Sequence, residues 1–329
     1  MERGTIVLCT LCLGENMTEN NYKGKNVLVT GGSGVIGTHL IKKLVDRGAN
    51  VRNLDFRKQA KELTEMGIEH FCLDMSNKDF QPLFRFEPDY VFHLAADFER
   101  STETYNFWDS NFKNNVLASH NLMQQVTKYD SLQKIIFASS YLIYDKSLYS
   151  NPSAPYKLTE NDPIDPRNLC GLAKLQTETD LEFLSTFKDF DVVSARIYRV
   201  YGEGSRDIIS RWAKQILDGS PITVFSKNNK FDYIYAGDVA EGLLRLGSTK
   251  TSKKVYNLGT GVATSVANVV NIFKNKLKDN CQVEQTDDEI CAEGSYACMK
   301  NFKKDLAWMP ETSIEQGIQK IIDYERKKR

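Results

Sequence analysis

Seven short apolar runs recur along the chain, and most of them are separated by segments able to form helices. They are KNVLVT (25–30), NVRNLD (50–55), EHFCLD (69–74), DYVFHLAA (89–96), KIIFASS (134–140), FDVVSARIY (190–198) and KVYNLGTG (254–261). Near-continuous apolar runs of this length are typical of strands in a parallel sheet whose two faces are both covered by helices. The pattern therefore predicts an α/β fold built on a doubly wound parallel sheet.

Helical spacing, and a later loss of regularity, divide the chain into two regions. Apolar residues recur every three or four positions in GVIGTHLIKKLVDRG (34–48), which predicts a helix directly after the first strand. Beyond about Val200 the alternation of strands and helices becomes irregular. We expect residues 25–200 to form the sheet domain and residues 201–329 a smaller region. The two are partly interleaved, because 254–261 has the pattern of a further strand of the sheet.

The first 24 residues differ from the rest of the chain. Residues 5–14, TIVLCTLCLG, form an apolar run of the length found in export signals, but they lack a basic leader and a small-residue cleavage site. The run is also too short to span a bilayer. We expect residues 1–24 to be a disordered leader or a misassigned start, with Met17 as an alternative first residue. An export signal is the competing interpretation.

Composition limits the class of partner and the compartment. The 43 lysines and arginines balance 43 aspartates and glutamates without long runs of like charge, so neither nucleic acid nor a membrane is indicated as the partner. A small ligand is favoured. The seven cysteines, an odd number without a repeated CxxC pair, favour the reducing cytoplasm over a disulfide framework and give no metal-site pattern. The polar stretch 278–294 is expected at the surface, without a functional role.

The clearest chemical signal is TGGSGVIG (30–37), between the first strand and the first helix. Its glycines allow the backbone to approach a pyrophosphate, which helix N–H groups and the helix dipole then bind. An aspartate that ends the second strand can bind an adenosine ribose and would repel a 2′-phosphate, so NAD is favoured, although Arg57 leaves NADP open. A tight turn without a ligand is the competing interpretation. The residues expected to contact NAD are Gly31, Gly34, Val35, Ile36, Gly37 and Asp55.

Further motifs follow in order along nearly the whole chain from Lys25. They are FCLDM (71–75), VFHLAA (91–96), NVLASHNLM (115–123), FASSYLIY (137–144), RIYRVYGEG (196–204), GSPITVFSKNNKFDYIYAGDVAEG (219–242) and VYNLGTG (255–261). Together they resemble the extended short-chain dehydrogenase/reductases that act on nucleotide sugars as epimerases and dehydratases. The resemblance implies a Rossmann fold, NAD as cofactor, a nucleoside-diphosphate sugar as substrate, a substrate-binding role for residues 201–329, and a homodimer.

The resemblance also assigns roles to single positions. It adds five cofactor contacts, at Asp74, Met75, Leu94, Ala95 and Ala96. In the family, hydride moves from a sugar carbon to NAD while the tyrosine of a YxxxK motif removes the hydroxyl proton. The lysine of that motif, here Lys174, holds the nicotinamide ribose and lowers the pKa of the tyrosine. A serine or threonine after a serine pair hydrogen-bonds the substrate hydroxyl.

This sequence departs from the family pattern at both proton-handling positions. Aligned on Lys174, the tyrosine position holds Cys170, and aligned on Ser139 and Ser140, the serine or threonine position holds Tyr141. A cysteine sulfur lies roughly 4 Å closer to its own backbone than a tyrosine oxygen does. A cysteine side chain at this position is therefore too short to reach the substrate hydroxyl for direct proton transfer.

Three interpretations of the altered positions remain open. In the first, Tyr141 reaches into the space beside Cys170, and Lys174 lowers the pKa of its phenol so that it acts as the base. In the second, Cys170 acts through a bound water, or the reaction tolerates a weak base. In the third, the site is degenerate and the protein is a non-catalytic NAD-binding scaffold or sensor of the same fold.

Two further departures concern the substrate. The family's asparagine in RxxNVYGP is replaced by Arg199, and the arginine of its RDF segment is replaced by Phe231. Arg199 is therefore expected to pair with the substrate pyrophosphate, with a packing role as the alternative.

Asn115 matches the family's helix asparagine and is expected to order the active-site backbone or a water. The candidate catalytic residues are Tyr141, Cys170, Lys174, Ser140 and Asn115, and the candidate substrate contacts are Arg199 and Tyr141.

Overall fold

The computed structural model of the chain describes residues 21–77, 86–98, 105–278, 281–285 and 292–329. Of the predicted leader, residues 1–20 lie outside this range. The prediction of disorder is wrong for residues 21–24. The reason is that Tyr22 is fully buried, packs against Phe92, and donates a hydrogen bond to the carbonyl oxygen of Leu244 at 2.8 Å. One aromatic side chain thus anchors the start of the described chain to the core.

The strands are, in chain order, β1 (Asn26–Thr30), β2 (Asn50–Asp55), β3 (Glu69–Cys72), β4 (Tyr90–His93), β5 (Lys134–Ser140), β6 (Tyr156–Leu158), β7 (Asp191–Ile197), β8 (Arg199–Tyr201), β9 (Ile222–Val224), β10 (Lys230–Phe231), β11 (Tyr233–Tyr235), β12 (Val255–Leu258), β13 (Thr264–Ser265), β14 (Val283–Gln285) and β15 (Ser295–Ala297). The α-helices are α1 (Val35–Asp46), α2 (Lys61–Glu65), α3 (Tyr105–Asn111), α4 (Ala118–Val126), α5 (Leu169–Leu184), α6 (Ile208–Leu217), α7 (Ala236–Ser248), α8 (Val266–Leu277), α9 (Lys300–Leu306) and α10 (Ile314–Lys327). A π-helix, Phe112–Leu117, joins α3 to α4, and a short 3-10 helix, Tyr141–Ile143, follows β5.

A seven-stranded parallel sheet organises the molecule, in the order β12-β7-β5-β4-β1-β2-β3. Each of the seven apolar runs forms one of these strands, so the predicted α/β fold with a doubly wound sheet is confirmed. β12 comes from the region after Val200 and pairs with β7. The strand order reverses between β1 and β4, and in sheets of this kind ligands bind outside the carboxyl ends of the strands at that point.

Alternate residues of the central strands pack on opposite faces of the sheet. Val27 and Val29 of β1 pack on the side of α1 and α7, whereas Leu28 packs on the side of α4 and α5. Complete burial of a side chain of this size stabilises the fold by about 1.5–3 kcal/mol. A separate core lies among α6, α8 and α10. Within the described ranges, none of the helices is both long enough and apolar enough to cross a membrane.

Asp232 ties three segments of the smaller region together. Its side chain is buried, and its carboxylate accepts hydrogen bonds from the Thr260 amide (2.7 Å) and hydroxyl (2.6 Å), the Gly261 amide (2.8 Å) and the Ala297 amide (3.0 Å). Burial raises the pKa of Asp232, and these hydrogen bonds oppose the shift. The loop after β12 is therefore held against β15 by a single buried carboxylate.

We expect Asp232→Asn to lower the free energy of unfolding by about 2 kcal/mol or more, because an amide cannot accept all of these bonds and points N–H groups at other donors. Urea denaturation of both proteins measures the difference. Asp323→Asn, at an exposed position of α10, is the matched control and should change stability by less than about 0.5 kcal/mol. Equal unfolding free energies for wild type and Asp232→Asn would contradict the role of this carboxylate.

Candidate functional site

The turn after β1 brings three backbone segments into contact. Gly31 has a φ of +71°, and a Cβ built on it would lie 2.7 Å from the amide nitrogen of Ala95. A Cβ on Gly37 would lie 2.5 Å from the carbonyl oxygen of Gly31. Side chains are therefore excluded at both positions, and α1 begins directly at the turn. The unpaired N–H groups of its first residues lie there, as a pyrophosphate site requires.

The turn forms one wall of a cleft, here called the dinucleotide cleft. Six residues expected to contact NAD line this cleft: Gly31, Asp55, Asp74, Met75, Ala95 and Ala96. Four more lie at the start of α1: Gly34, Val35, Ile36 and Gly37. Two remain: Leu94 follows β4, and its carbonyl carbon would lie 2.9 Å from a Cβ on Gly31, whereas Lys174 lies on α5. The open turn fits the pyrophosphate of NAD, and the carboxylate at the end of β2 fits its adenosine ribose.

The carboxylate of Asp55 is held in place at the end of β2. The side chain is 4% exposed and accepts hydrogen bonds from the amides of Ser33 (3.0 Å) and Arg57 (2.8 Å). The Arg57 Nε lies 3.6 Å from the Asp55 carboxylate. Because this guanidinium is already paired with a carboxylate, the geometry favours a ribose hydroxyl over a 2′-phosphate as the neighbour of Asp55.

The opposite side of the cleft is also polar. Asp74 accepts hydrogen bonds from the Ser76 amide (2.9 Å) and hydroxyl (2.7 Å), and Lys113 lies 3.1 Å from its other oxygen. Burial raises the pKa of Asp74, but these contacts outweigh it and hold the pKa below its usual range. The sequence analysis missed Asp97 and Asn114, which line the cleft as well. Neither residue had been given a role by the motifs.

A chain of buried hydrogen bonds links β1, β4 and the helix after it. The Ala95 amide donates to the Thr30 hydroxyl (3.3 Å), which lies 2.7 Å from the His93 Nδ1. The His93 Nε2 lies 2.9 Å from the Ser119 hydroxyl, which donates to the carbonyl oxygen of Asn115 at 2.5 Å. Since Ser119 donates to a carbonyl, its oxygen accepts from Nε2–H, and Nδ1 accepts from Thr30. The chain therefore assigns His93 the neutral tautomer protonated at Nε2.

Asn115 lies in the π-helix Phe112–Leu117 and binds the backbone that follows β4. Its Oδ1 accepts from the Asp97 amide (2.6 Å), and its Nδ2 donates to the Asp97 carbonyl (2.8 Å) and to Asn111 (2.8 Å). Asn114 donates to the Asp97 side chain at 3.1 Å. Through these contacts Asn115 holds the backbone at Asp97, beside the cleft. π-Helical turns often occur at functional sites.

Helix α5 carries the residues of the altered YxxxK motif. Asn168 caps its start by accepting a hydrogen bond from the Gly171 amide at 2.8 Å. Cys170, Lys174 and Glu178 then follow at intervals of four, which places them on one face of the helix. The side chains of Cys170 and Lys174 are buried, with 4% and 8% of their surfaces exposed.

Lys174 is a buried cation with two groups of its own helix, Cys170 and Glu178, acting on it. Burial lowers its pKa, and the nearby charges of Cys170 and Glu178 oppose that shift. Glu178 forms a buried two-point ion pair with Arg196 of β7, at 2.9 and 3.3 Å. The Lys174 Nζ lies 4.7 Å from the centre of the Phe137 ring on β5. The helix face with the thiol and the lysine is thus fixed to two strands of the sheet.

Ser140 and Tyr141, at the end of β5, differ in exposure and in hydrogen-bond partners. The side chain of Ser140 is partly exposed, and its hydroxyl accepts from the Leu142 amide at 3.2 Å. Tyr141 is buried; its hydroxyl donates to the Glu293 carboxylate (3.0 Å) and accepts from the Arg199 Nε (3.2 Å). Burial raises the pKa of Tyr141.

These contacts give no support to the interpretation of Tyr141 as the relocated base. That role required Lys174 to lower the pKa of the phenol, yet the pKa is raised, and the cations beside the ring are Arg199 and Arg167. The phenol is turned towards the smaller region, where Glu293 supplies a buried acceptor. The hydroxyl that remains accessible at the carboxyl end of β5 is that of Ser140.

Glu293 is a further residue that the sequence analysis missed. The stretch 278–294 was expected at the surface, but Glu293 is 2% exposed, and its amide donates to Asn229 at 3.0 Å. Arg167 lies 2.8 Å and Arg199 3.5 Å from its carboxylate. The surrounding residues are polar and acidic, so the sequence gives no signal that this single carboxylate is buried.

His93 should make the protein less stable below about pH 6.5. Burial, and then the positive charge of Lys174, lower the pKa of His93 to about 3. Between about pH 6.5 and 3 the unfolded chain binds a proton that the folded chain does not, so stability falls as the pH falls. By about pH 5 the loss amounts to about 2 kcal/mol. Urea denaturation at about pH 7.5 and about pH 5 measures it.

His93→Gln is the matched variant, because glutamine retains a donor and an acceptor but has no proton to gain in this range. Between the two pH values this variant should lose about 2 kcal/mol less stability than wild type. Equal losses in the two proteins would show that His93 does not cause the acid sensitivity.

Comparison with known proteins relates this chain to enzymes that act on nucleotide sugars. A sequence model of the NAD dependent epimerase/dehydratase family matches residues 27–259, from β1 through β12. A putative UDP-glucose 4-epimerase of Methanocaldococcus jannaschii is 29% identical over 309 residues, which cover 91% of this chain and 97% of that protein. A dTDP-4-dehydro-6-deoxyglucose reductase of Escherichia coli is 27% identical over 312 residues, 90% of this chain and 96% of that protein.

A solved structure extends the comparison to three dimensions. The UDP-glucose 4-epimerase of Thermus thermophilus, in complex with NAD, matches with a TM-score of 0.78 at 25% identity, and the match covers 91% of this chain and 98% of that one. The family model spans the glycine turn, the dinucleotide cleft and helix α5. This chain belongs to the NAD-dependent epimerase/dehydratase family.

Proposed function

We propose that the protein modifies a nucleoside-diphosphate sugar by transient, NAD-dependent oxidation, as an epimerase or a dehydratase. The observation that carries this proposal is the common position of the dinucleotide cleft, Ser140 and the start of α5 at the carboxyl edge of the sheet. A Cβ on Gly171 would lie 2.6 Å from the carbonyl oxygen of Leu142, so α5 begins against the segment that follows β5. The names of the relatives, enzymes of UDP- and dTDP-sugars, support a nucleotide-sugar substrate.

The residues of the chain would divide the work as follows. When bound, NAD accepts a hydride from a sugar carbon and can return it. Lys174 binds the nicotinamide ribose, and its positive charge stabilises a negative charge that develops on the substrate oxygen. Ser140 hydrogen-bonds the reacting hydroxyl, and Asn115 keeps the backbone after β4 in place through Asp97.

Cys170 exchanges the substrate proton through one bound water. A cysteine side chain is roughly 4 Å shorter than the tyrosine side chain that the family carries at this position, and one water can connect groups that are too far apart for direct transfer. Cys170 lies one turn before Lys174 on α5, and this position supports the assignment. The positive charge of the lysine favours the deprotonated, negatively charged form of an acidic group beside it.

We also infer that the protein works in the cytoplasm. In the described part of the chain, Cys72, Cys170, Cys281 and Cys298 are not in disulfides. Reduced thiols are typical of a reducing compartment, whereas small secreted domains usually pair them. The proposed cofactor and substrate class are consistent with that location.

Turnover by the purified protein is the direct test. Incubation with NAD and UDP-, dTDP-, GDP- and CDP-sugars in D₂O, followed by chromatography with mass detection, should yield a product with altered retention or with water lost. We expect Lys174→Met to lower turnover by about 10²-fold or more, because it removes the charge that stabilises the substrate oxygen, and Cys170→Ala to lower it by about 10²-fold, because it removes the group that exchanges the proton. Deuterium uptake into carbon would distinguish elimination from simple epimerisation.

Two variants make this test specific. Cys298→Ala removes a cysteine away from α5 and should leave turnover unchanged. Cys170→Tyr restores the family's tyrosine and should retain turnover without the water. Full activity of Cys170→Ala would remove the thiol from the reaction. If wild type bound NAD but converted none of the sugars, the non-catalytic scaffold would replace the enzyme as the best interpretation.

We propose further that the protein is a homodimer. Large apolar side chains are exposed on α3, the π-helix, α5 and the turn after α5, with exposed fractions of 54% for Trp108, 56% for Phe112, 47% for Leu172, 63% for Phe183 and 68% for Phe187. Grouped exposed apolar side chains of this kind mark interaction surfaces. A second copy of this chain is the partner that the family resemblance implies.

Charged substitutions on this surface should separate the subunits. We expect wild type to have the mass of a dimer in size-exclusion chromatography with light scattering, and Phe183→Asp combined with Phe187→Asp to have the mass of a monomer. Val262→Asp, at another exposed apolar side chain, is the control and should remain dimeric. A monomeric wild type, or a double variant that stays dimeric, would refute this interface.

A further inference from the structure

Three side chains from distant parts of the sequence, those of Tyr141, Arg167 and Arg199, surround the buried carboxylate of Glu293. Arg167 donates to the Glu293 Oε2 at 2.8 Å, and Tyr141 donates to its Oε1 at 3.0 Å. Although burial opposes ionisation, Arg199 and Arg167 lower the pKa of Glu293, so the group is a carboxylate. Two guanidiniums and one carboxylate leave this cluster with an excess of one positive charge.

The two arginines contact the Glu293 carboxylate at different distances. Arg167 has the shorter contact, at 2.8 Å, and its side chain is mostly buried. The Arg199 Nη2 lies 3.5 Å from the same carboxylate, which is the limit of a hydrogen bond, and the side chain is 39% exposed. The excess charge therefore resides on Arg199, at the accessible side of the cluster.

Arg199 is also fixed in orientation. Its Nε donates to the Tyr141 hydroxyl at 3.2 Å, and its guanidinium carbon lies 3.6 Å from the centre of the Phe231 ring. Within the described ranges, the Arg199 Nη1 donates to no side chain or carbonyl. The guanidinium is thus held at its inner edge, supported on one face, and open at the outer edge, a geometry suited to binding an oxyanion.

This arginine lies next to the site of the proposed reaction. Tyr141 directly follows Ser140 at the end of β5, and Arg199 follows β7, the strand that pairs with β5. Both strands run in the same direction, so their carboxyl ends meet at the edge of the sheet where the substrate is expected. A nucleoside-diphosphate sugar would bring a doubly charged diphosphate to this edge.

We propose, on the basis of the proposed function, that Arg199 binds the diphosphate of the substrate and that Tyr141 and Glu293 are positioning residues that hold it for this role. Tyr141 therefore contributes to substrate binding and not to proton transfer. Phe231 belongs to the same unit, since its ring occupies one face of the guanidinium. The changes at residues 141, 199 and 231, which look independent along the chain, follow from one physical requirement.

The experiment measures the affinity of the purified protein for nucleoside diphosphates. Isothermal titration with UDP, dTDP, GDP and CDP, in the presence of NAD, identifies the diphosphate that wild type binds best; the matching nucleoside without phosphate is the second probe. Arg199→Gln should lower the affinity for the diphosphate by about 10- to 100-fold and leave the affinity for the nucleoside unchanged. Tyr141→Phe should lower the affinity for the diphosphate by about 5-fold, because the hydroxyl that accepts a hydrogen bond from the Arg199 Nε is lost.

Tyr198→Phe is the matched control for Tyr141→Phe. The Tyr198 ring stacks on that of Tyr141 at 4.9 Å, and among the described residues its buried hydroxyl has no hydrogen-bond partner. This variant should bind the diphosphate within about twofold of wild type. With a sugar that turns over, Tyr141→Phe should raise KM and leave the pH profile of kcat unchanged, as expected of a positioning residue rather than a base.

The outcomes separate this inference from the proposed function. If wild type binds a diphosphate and Arg199→Gln binds it equally well, the inference is overturned while the proposed function stands. A pH profile of kcat that shifts in Tyr141→Phe would return that phenol to proton transfer and overturn its positioning role. If wild type binds none of the four diphosphates, the inference and the proposed nucleotide-sugar substrate are both overturned.

Discussion

At the carboxyl edge of the sheet, the backbone at Gly31 passes so close to Ala95 that an added Cβ would come within 2.7 Å of its amide nitrogen. Gly37 presses on the same turn from the other side, where a Cβ would lie 2.5 Å from the carbonyl oxygen of Gly31. Strand, turn and helix are thereby stacked without side chains between them. This contact determines where α1 begins, and with it the position of the N–H groups available to a pyrophosphate.

Buried polar contacts extend this arrangement from the cofactor side across the sheet. His93 connects Thr30 at the glycine turn with Ser119 beyond the π-helix, and it does so as a neutral group. The ion pair between Glu178 and Arg196 fixes α5 to β7 close to Lys174. Because buried polar groups are costly when they lose a partner, each of these contacts favours one relative placement of its elements over alternatives. The cofactor side is consequently held by neutral and internally paired groups.

The substrate side is organised differently, around charge that is not fully compensated. Glu293 neutralises one of two neighbouring guanidiniums, and the other remains partly exposed. Tyr141 contributes to this cluster through its hydroxyl, which explains why a large aromatic residue follows Ser140. The accessible hydroxyl at the end of β5 and the lysine on α5 are retained, so the binding and the chemical parts of the site can vary separately. Cys170 is the point at which the proposed chemistry departs from that of the family.

The sequence by itself determined the sheet, because each strand is encoded by a local apolar run and each run is short enough to be recognised without its neighbours. It also determined the dinucleotide turn, where the glycines, the following helix and Asp55 lie within about two dozen residues. Tertiary structure alone decided the contact between Tyr141 and Glu293, which are 152 residues apart and meet across the two regions of the chain. A buried carboxylate in a polar segment has no local signature, since its burial depends on the arginines and the phenol that surround it only after folding.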